Sequence, residues 1–143
     1  MLRTLTSALF VLCLSAGTAA AATCEIHPDY NASFRKSLIN ALYRVRSERH
    51  LTQVLYRMIR IDQETTAHEE AHYNTARGWA EPPNYEVVEL YGKTYRIGGC
   101  VRPKPGIPLE IAYQAALAPK RPSAHDLELA SKYMRRMRQL GMR

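Results

Sequence analysis

The chain has 143 residues, of which 46% are hydrophobic and 23% are charged. That length suits one domain of ordinary size, and the composition lies within the globular range, which excludes wholesale disorder and fibrous repeats. The 20 Lys and Arg residues outnumber the 13 Asp and Glu residues, so the formal net charge is +7. Such an excess of positive charge is compatible with anionic envelope polymers as partners. The sequence lacks the combination of basic and aromatic residues that would indicate nucleic-acid binding.

The first 22 residues have the pattern of a secretory signal peptide. Arg3 supplies a positive start, residues 5–14 form an apolar run, and small residues follow, ending in alanines at positions 20–22. The apolar run is too short for a transmembrane helix and fits a signal that is cleaved before Thr23. We therefore expect an exported protein, periplasmic or extracellular, with a single domain over residues 23–143 and no transmembrane segment in the mature chain.

Two helices are predicted next. Apolar residues repeat at three and four from Phe34, after the cap-type residues at 31–33, and predict a helix that ends near Arg46. A longer helix is predicted over residues 51–77, closed by Gly78. One face of this second helix carries an apolar stripe that runs into two histidines: Val54, Met58, Ile61, Thr65, His68 and His72.

The second half of the mature chain predicts a hairpin and two helices. Alternating residues at 85–90 and 94–97 flank a turn around Gly92 and indicate a β-hairpin. A short helix is expected over residues 109–117. Ser123 and Asp126 have the spacing of a helix cap and its third residue, which predicts a last helix to residue 140. Its expected buried stripe is Leu127, Ala130, Met134 and Met137, and its basic face is expected to be solvated.

The pattern His-Glu-x-x-His occurs at residues 68–72, within the second predicted helix. Residues four apart on a helix stack on one face, so His68 and His72 can both bind one Zn²⁺. Glu69 lies about 100° around the helix, where it can act as the general base on a water. Glu70 is expected to face solvent. These residues predict a zinc-dependent hydrolase that delivers a proton to a leaving amine. The expected substrate is a peptide or protein, and the residues do not distinguish a peptide from a peptidoglycan crosslink.

A catalytic zinc needs a third protein ligand, and the residues leave several candidates. These candidates are Glu89 in the hairpin, Cys100, and His125 or Asp126 at the start of the last helix. After export, Cys24 and Cys100 are the two cysteines of the mature chain, and in an oxidising compartment we expect a disulfide between them. That bond would exclude Cys100 as a ligand. Tyr95 is a possible oxyanion donor, although an ordinary strand tyrosine fits its position as well.

Four segments in order resemble the SprA-related family of bacterial metalloproteases, over about residues 65–134. They lie at residues 67–72, 92–99 with Val101, 115–119 and 122–126. The resemblance implies a zinc peptidase with His68 and His72 as ligands and Glu69 as base. The family has Glu where this chain has Cys100. If that Glu is the family's third ligand, then Cys100 replaces it, another group completes the site, or catalysis is lost.

The expected fold is α+β, a mostly helical zincin-like domain with one β-hairpin packed beside the helix that carries the His-Glu-x-x-His motif. Two functions are consistent with the residues. The first is an exported zinc metallopeptidase. The alternative is a non-catalytic exported module with a degenerate metal site, whose basic surface binds anionic envelope polymers.

Overall fold

The computed structural model describes Asn40, Arg44 and residues 47–142. The element order over residues 47–142 is α1 (Glu48–Thr75), β1 (Asn84–Leu90), β2 (Lys93–Cys100), α2 (Leu109–Ala116) and α3 (Ala124–Gln139). This is the mostly helical α+β fold with one hairpin that the sequence predicts. The signal peptide, Cys24 and most of the helix predicted before Arg46 lie outside the described residues. No helix within residues 47–142 is long and apolar enough to cross a membrane.

Helix α1 begins and ends at recognisable cap residues. Ser47 precedes the helix in an extended conformation, and its hydroxyl accepts the backbone N–H of His50 at 3.3 Å. The helix ends where Arg77 and Gly78 take positive φ angles of 50° and 87°. Glycine adopts such angles without a steric penalty, so Gly78 stops the helix as the sequence predicts. The motif residues at 68–72 therefore lie in the last two turns of α1.

The hairpin packs against α1 along one face of β2. Tyr91 and Gly92 both have positive φ, which makes the two-residue turn whose twist matches antiparallel strands. Side chains alternate along β2, and Tyr95 and Ile97 bury themselves against Met58 of α1. Ile61, Val88 and Leu90 pack around this cluster. This cluster therefore sets the position of β2 along the length of α1.

A polar contact also fixes the hairpin on α1. The Asp62 carboxylate accepts the backbone N–H of Arg96 at 2.7 Å. The Arg96 guanidinium donates to the hydroxyl of Thr66 at 3.1 Å and lies over the ring of Tyr85, 4.9 Å from its centroid. These contacts lie one turn before the motif, so they set the register between β2 and the motif residues.

Helix α3 buries the predicted stripe except at its first residue. Ala130 is buried as expected, but Leu127 is 52% exposed, so its assignment to the core is wrong. Asp126 is buried in its place, because its carboxylate caps the helix from inside the fold. Met134 and Met137 are half-buried, so the rest of the predicted stripe faces inward, and α3 packs against α2.

Candidate metal centre and catalytic cleft

Three ligand-type side chains from two helices converge at the end of α1. His68 and His72 are one turn apart on α1, and Asp126 is the third residue of α3. One ligand atom of each lies within 4.8 Å of the others. The side chains are 21%, 12% and 5% exposed, respectively, so the cluster faces a cleft and is largely shielded from water.

The distances within this cluster fit a single tetrahedral ion. The Nε2 atoms of His68 and His72 lie 3.1 Å apart. His68 Nε2 lies 3.2 Å from Asp126 Oδ2, and His72 Nε2 lies 3.3 Å from Asp126 Oδ1. Ligands at 2.0–2.1 Å from a tetrahedral zinc are separated by about 3.3–3.4 Å. The three side chains therefore have the spacing that a zinc ion requires, and two imidazoles with a carboxylate are donors that suit zinc.

The main chain of α2 fixes the orientation of His72. Its Nδ1 lies 2.7 Å from the carbonyl oxygen of Ala115, in the last turn of α2. A carbonyl oxygen only accepts, so Nδ1 carries the proton and donates it. In the neutral ring, the lone pair is then on Nε2, the atom that faces His68 and Asp126. A hydrogen bond from the far nitrogen of this kind typically holds a metal-binding histidine in place.

A capping box holds Asp126. The backbone N–H and the hydroxyl of Ser123 donate to Asp126 Oδ2 at 2.8 and 2.7 Å, and the Ser123 hydroxyl accepts the N–H of Asp126 at 3.1 Å. These bonds aim the carboxylate of Asp126 at the two histidines. The capping box thus starts α3, and through it Ser123 also positions Asp126, the third candidate ligand.

The pKa of His72 reflects a position that attracts positive charge. Burial is the largest single influence and lowers the pKa. The hydrogen bonds with Asp126 and the Ala115 carbonyl, together with the charges of Asp126 and Glu69, outweigh it and raise the pKa above the ordinary 6.5. A proton and a metal ion would compete for the same nitrogen, because a ligating histidine must be neutral.

Glu69 is more deeply buried than either histidine, at 3% exposure. It lies where β2 passes α1, opposite Gly99. A Cβ atom built on Gly99 would lie 2.6 Å from Cγ of Glu69 and 3.1 Å from its Cδ. The strand pairing shifts register between Glu86 and Val87, so Gly99 pairs with Tyr85 beyond an irregularity in the hairpin. Tyr95 and Ile97 fill the core, and Gly99 leaves room for the Glu69 side chain. Only glycine allows this approach.

The other candidate residues lie in different places. Glu89 is exposed on β1 opposite Thr94, away from the histidines. His125 and Cys100 line the same cleft as Glu69 but do not belong to the group of three ligand-type side chains. Tyr95 is buried in the core cluster with Met58 and does not line the cleft. Of the four candidates for the third ligand, the structure brings Asp126 to the two histidines.

Cys100 is disulfide-bonded. Its partner lies outside the described residues, so the pairing with Cys24 stays a prediction. A mass two hydrogens below that of the reduced chain, with the bond mapped to a peptide containing both cysteines, would establish it.

A cleft of about 270 Å³ opens beside the candidate metal centre. Glu69, His72 and Asp126 contribute to its wall, together with residues of α2, α3 and the chain that follows β2. That chain is fixed by main-chain bonds to the end of α1, where Lys104 donates to the Trp79 carbonyl at 2.8 Å and Glu81 donates to the Arg102 carbonyl at 2.9 Å. The candidate base and two of the candidate ligands therefore share one solvent-accessible space.

The histidine motif gives no indication of two groups at the site, the Ala115 carbonyl and Gly99. The Ala115 carbonyl is a main-chain group, so no side-chain pattern identifies it. Gly99 matters because it has no side chain, and a glycine pair at the end of a predicted strand is only a weak indication of a close approach. Comparison of the chain with protein-family models, with curated proteins and with solved structures finds no match.

Proposed function

We propose that the chain is an exported zinc-dependent peptidase that hydrolyses peptide bonds. The observation that carries the proposal is the convergence of His68, His72 and Asp126 at the spacing of a zinc ion, with the buried Glu69 in the same cleft. The resemblance of residues 65–134 to the SprA-related metalloproteases supports the same function. With Asp126 as the third ligand, Cys100 is not needed to hold the metal.

Each residue of the candidate site has a separate role in the proposed reaction. His68, His72 and Asp126 would hold the ion, which when bound supplies Lewis-acid polarisation of the scissile carbonyl and makes water more acidic. Glu69 accepts a proton from the attacking water and delivers it to the leaving amine. The contact with Gly99 restricts the Glu69 side chain to the cleft. The Ala115 carbonyl and Ser123 keep the ligands from rotating away.

The decisive experiment separates metal binding from catalysis. Purified protein is expected to contain about one zinc per chain by elemental analysis and to cleave casein or a peptide mixture. Glu69→Gln should retain zinc and lose about 10²- to 10⁴-fold in rate, since it removes a general base and keeps the shape. The matched control is Glu70→Gln, which changes the neighbouring exposed carboxylate and should retain full activity. Full activity of Glu69→Gln would contradict the mechanism.

The alternative function predicts different results on the same sample. A non-catalytic module would contain no zinc and hydrolyse nothing. It would bind anionic envelope polymers through the exposed basic face of α3, which comprises Lys132, Arg135, Arg136 and Arg138. Retention on an anionic polymer that is lost with added salt, in protein without zinc, would favour this alternative.

A further inference from the structure

Away from the candidate metal centre, the cleft forms a chamber lined mostly by apolar side chains, five of them alanines. Ala112 and Ala116 lie one turn apart on α2, and Ala76 immediately follows the last residue of α1. Their side chains end at Cβ, so they leave open the space that larger residues would fill. Further apolar lining comes from Val101, Pro103, Ile107 and Leu129.

The volume of the cleft is large enough for a substrate side chain. Protein interiors are close-packed, with few voids larger than a water molecule. The cleft holds about 270 Å³, whereas an apolar cavity of roughly 150 Å³ already accommodates benzene. A space of this size, open to the candidate catalytic residues, is suited to one aliphatic side chain and the peptide group next to it.

Charge also limits what the chamber accepts. Apart from the candidate site and the adjacent His125, Arg102 is the charged residue among those that line the described cleft. Its guanidinium lies 3.5 Å from the carboxylate of Glu81. A charged substrate side chain would have to leave water for a lining that is mostly apolar away from the candidate site, which is unfavourable without a partner.

We propose that this chamber is a specificity subsite that receives an aliphatic side chain, such as that of leucine or valine, next to the scissile bond. The inference rests on the proposed peptidase function and deepens it by naming the substrate class. Ala112 of α2 and Leu129 of α3, which both line the chamber, determine how large a side chain fits. A larger side chain at position 112 should exclude a substrate leucine side chain. A smaller side chain at position 129 should admit a substrate phenylalanine side chain.

Binding of two probes tests the subsite without relying on turnover. N-acetyl-leucine hydroxamate and N-acetyl-glycine hydroxamate present the same zinc-directed group with and without an isobutyl side chain. Zinc-loaded protein should bind the leucine probe at least about 10-fold more tightly by calorimetry, because each methylene in a fitted apolar pocket is worth about 10-fold or more. In Ala112→Leu that advantage should disappear, while the Kd of the glycine probe stays unchanged and shows that the site is intact.

Leu129→Ala provides a second variant, which keeps the test valid if Ala112→Leu does not fold. It should bind N-acetyl-phenylalanine hydroxamate at least about 10-fold more tightly than the parent protein does. Equal Kd values for the leucine and glycine probes in the parent protein would overturn the subsite, and so would a leucine advantage that persists in Ala112→Leu. Failure of the proposed function itself looks different, because then peptides are not cleaved whatever the probes show.

Discussion

The contact between Gly99 and Glu69 allows a sharp test of how the fold positions the candidate base. The perturbation is Gly99→Ala. The added Cβ would lie 2.6 Å from Cγ of Glu69, closer than Cβ atoms approach other atoms, and 3.1 Å from both Cδ of Glu69 and Cδ1 of Tyr85. Gly99 does not have a left-handed φ, so the alanine backbone itself is unstrained. The cost therefore comes from the side chains that it meets.

The magnitude follows from two opposing terms. Replacing glycine by alanine at a compatible backbone position stabilises by about 0.4–1 kcal/mol, since the unfolded chain loses freedom. Forcing a methyl group into a close-packed contact costs about 1–3 kcal/mol. We expect a net loss of about 1–2 kcal/mol in the free energy of unfolding, measured by urea denaturation of zinc-free protein so that metal affinity does not contribute.

A double-mutant cycle attributes that cost to Glu69. Glu69→Ala removes both of its atoms that Gly99→Ala would meet and leaves only the contact with Tyr85. In that background Gly99→Ala should cost at least about 1 kcal/mol less than in the parent chain. An equal cost in both backgrounds, within about 0.5 kcal/mol, would refute the reasoning. Gly99→Ala should also lower kcat with little change in zinc content, because Glu69 is displaced while the ligands stay in place.

Two further variants test the polar contacts that hold the site together. Ser123→Ala removes the helix cap and the hydroxyl that aims Asp126, so we expect a loss of about 1 kcal/mol in stability and about 10- to 100-fold in zinc affinity by competition with a chelator. The exposed Ser131→Ala on the same helix is the control and should change neither; equal effects of the two variants would contradict the role of the cap. Asp62→Ala leaves the N–H of Arg96 without its 2.7 Å acceptor and should lower the urea midpoint by the equivalent of about 1–2 kcal/mol. An unchanged midpoint would show that the hairpin does not depend on this bond.

The elements that the sequence predicts well are those whose pattern is local. The stripe at Met58 and Thr65 places α1, and both residues are buried as expected. Ser123 and Asp126 form the predicted capping box because cap geometry depends on four adjacent residues. The orientation of α3 was less predictable. Periodicity assigned Leu127 to the core, but at the start of α3 the buried residue is the adjacent Asp126, whose carboxylate caps the helix and faces the two histidines.

The sequence leaves the third candidate ligand undetermined for a physical reason. His68 and His72 form a pair through helix geometry alone, whereas Asp126 reaches them only because α2 and α3 fold back over the end of α1. Such convergence depends on the path of the chain through residues 101–123, which carries no periodic pattern. The sequence therefore narrows the ligand to a few acidic, histidine and cysteine residues, and tertiary structure selects among them.

The position of Cys100 bears on how its difference from the SprA-related pattern, which residues 65–134 resemble, is interpreted. A cysteine in place of a family Glu suggests a lost ligand if that position binds the metal. Here Cys100 lines the cleft and is disulfide-bonded, while Asp126 completes the group with the two histidines. A cleft wall tolerates such an exchange because its role is shape, whereas a ligand position does not. The substitution at residue 100 is therefore compatible with an intact metal centre, and the residues whose loss would indicate decay of the site are Asp126 and Glu69.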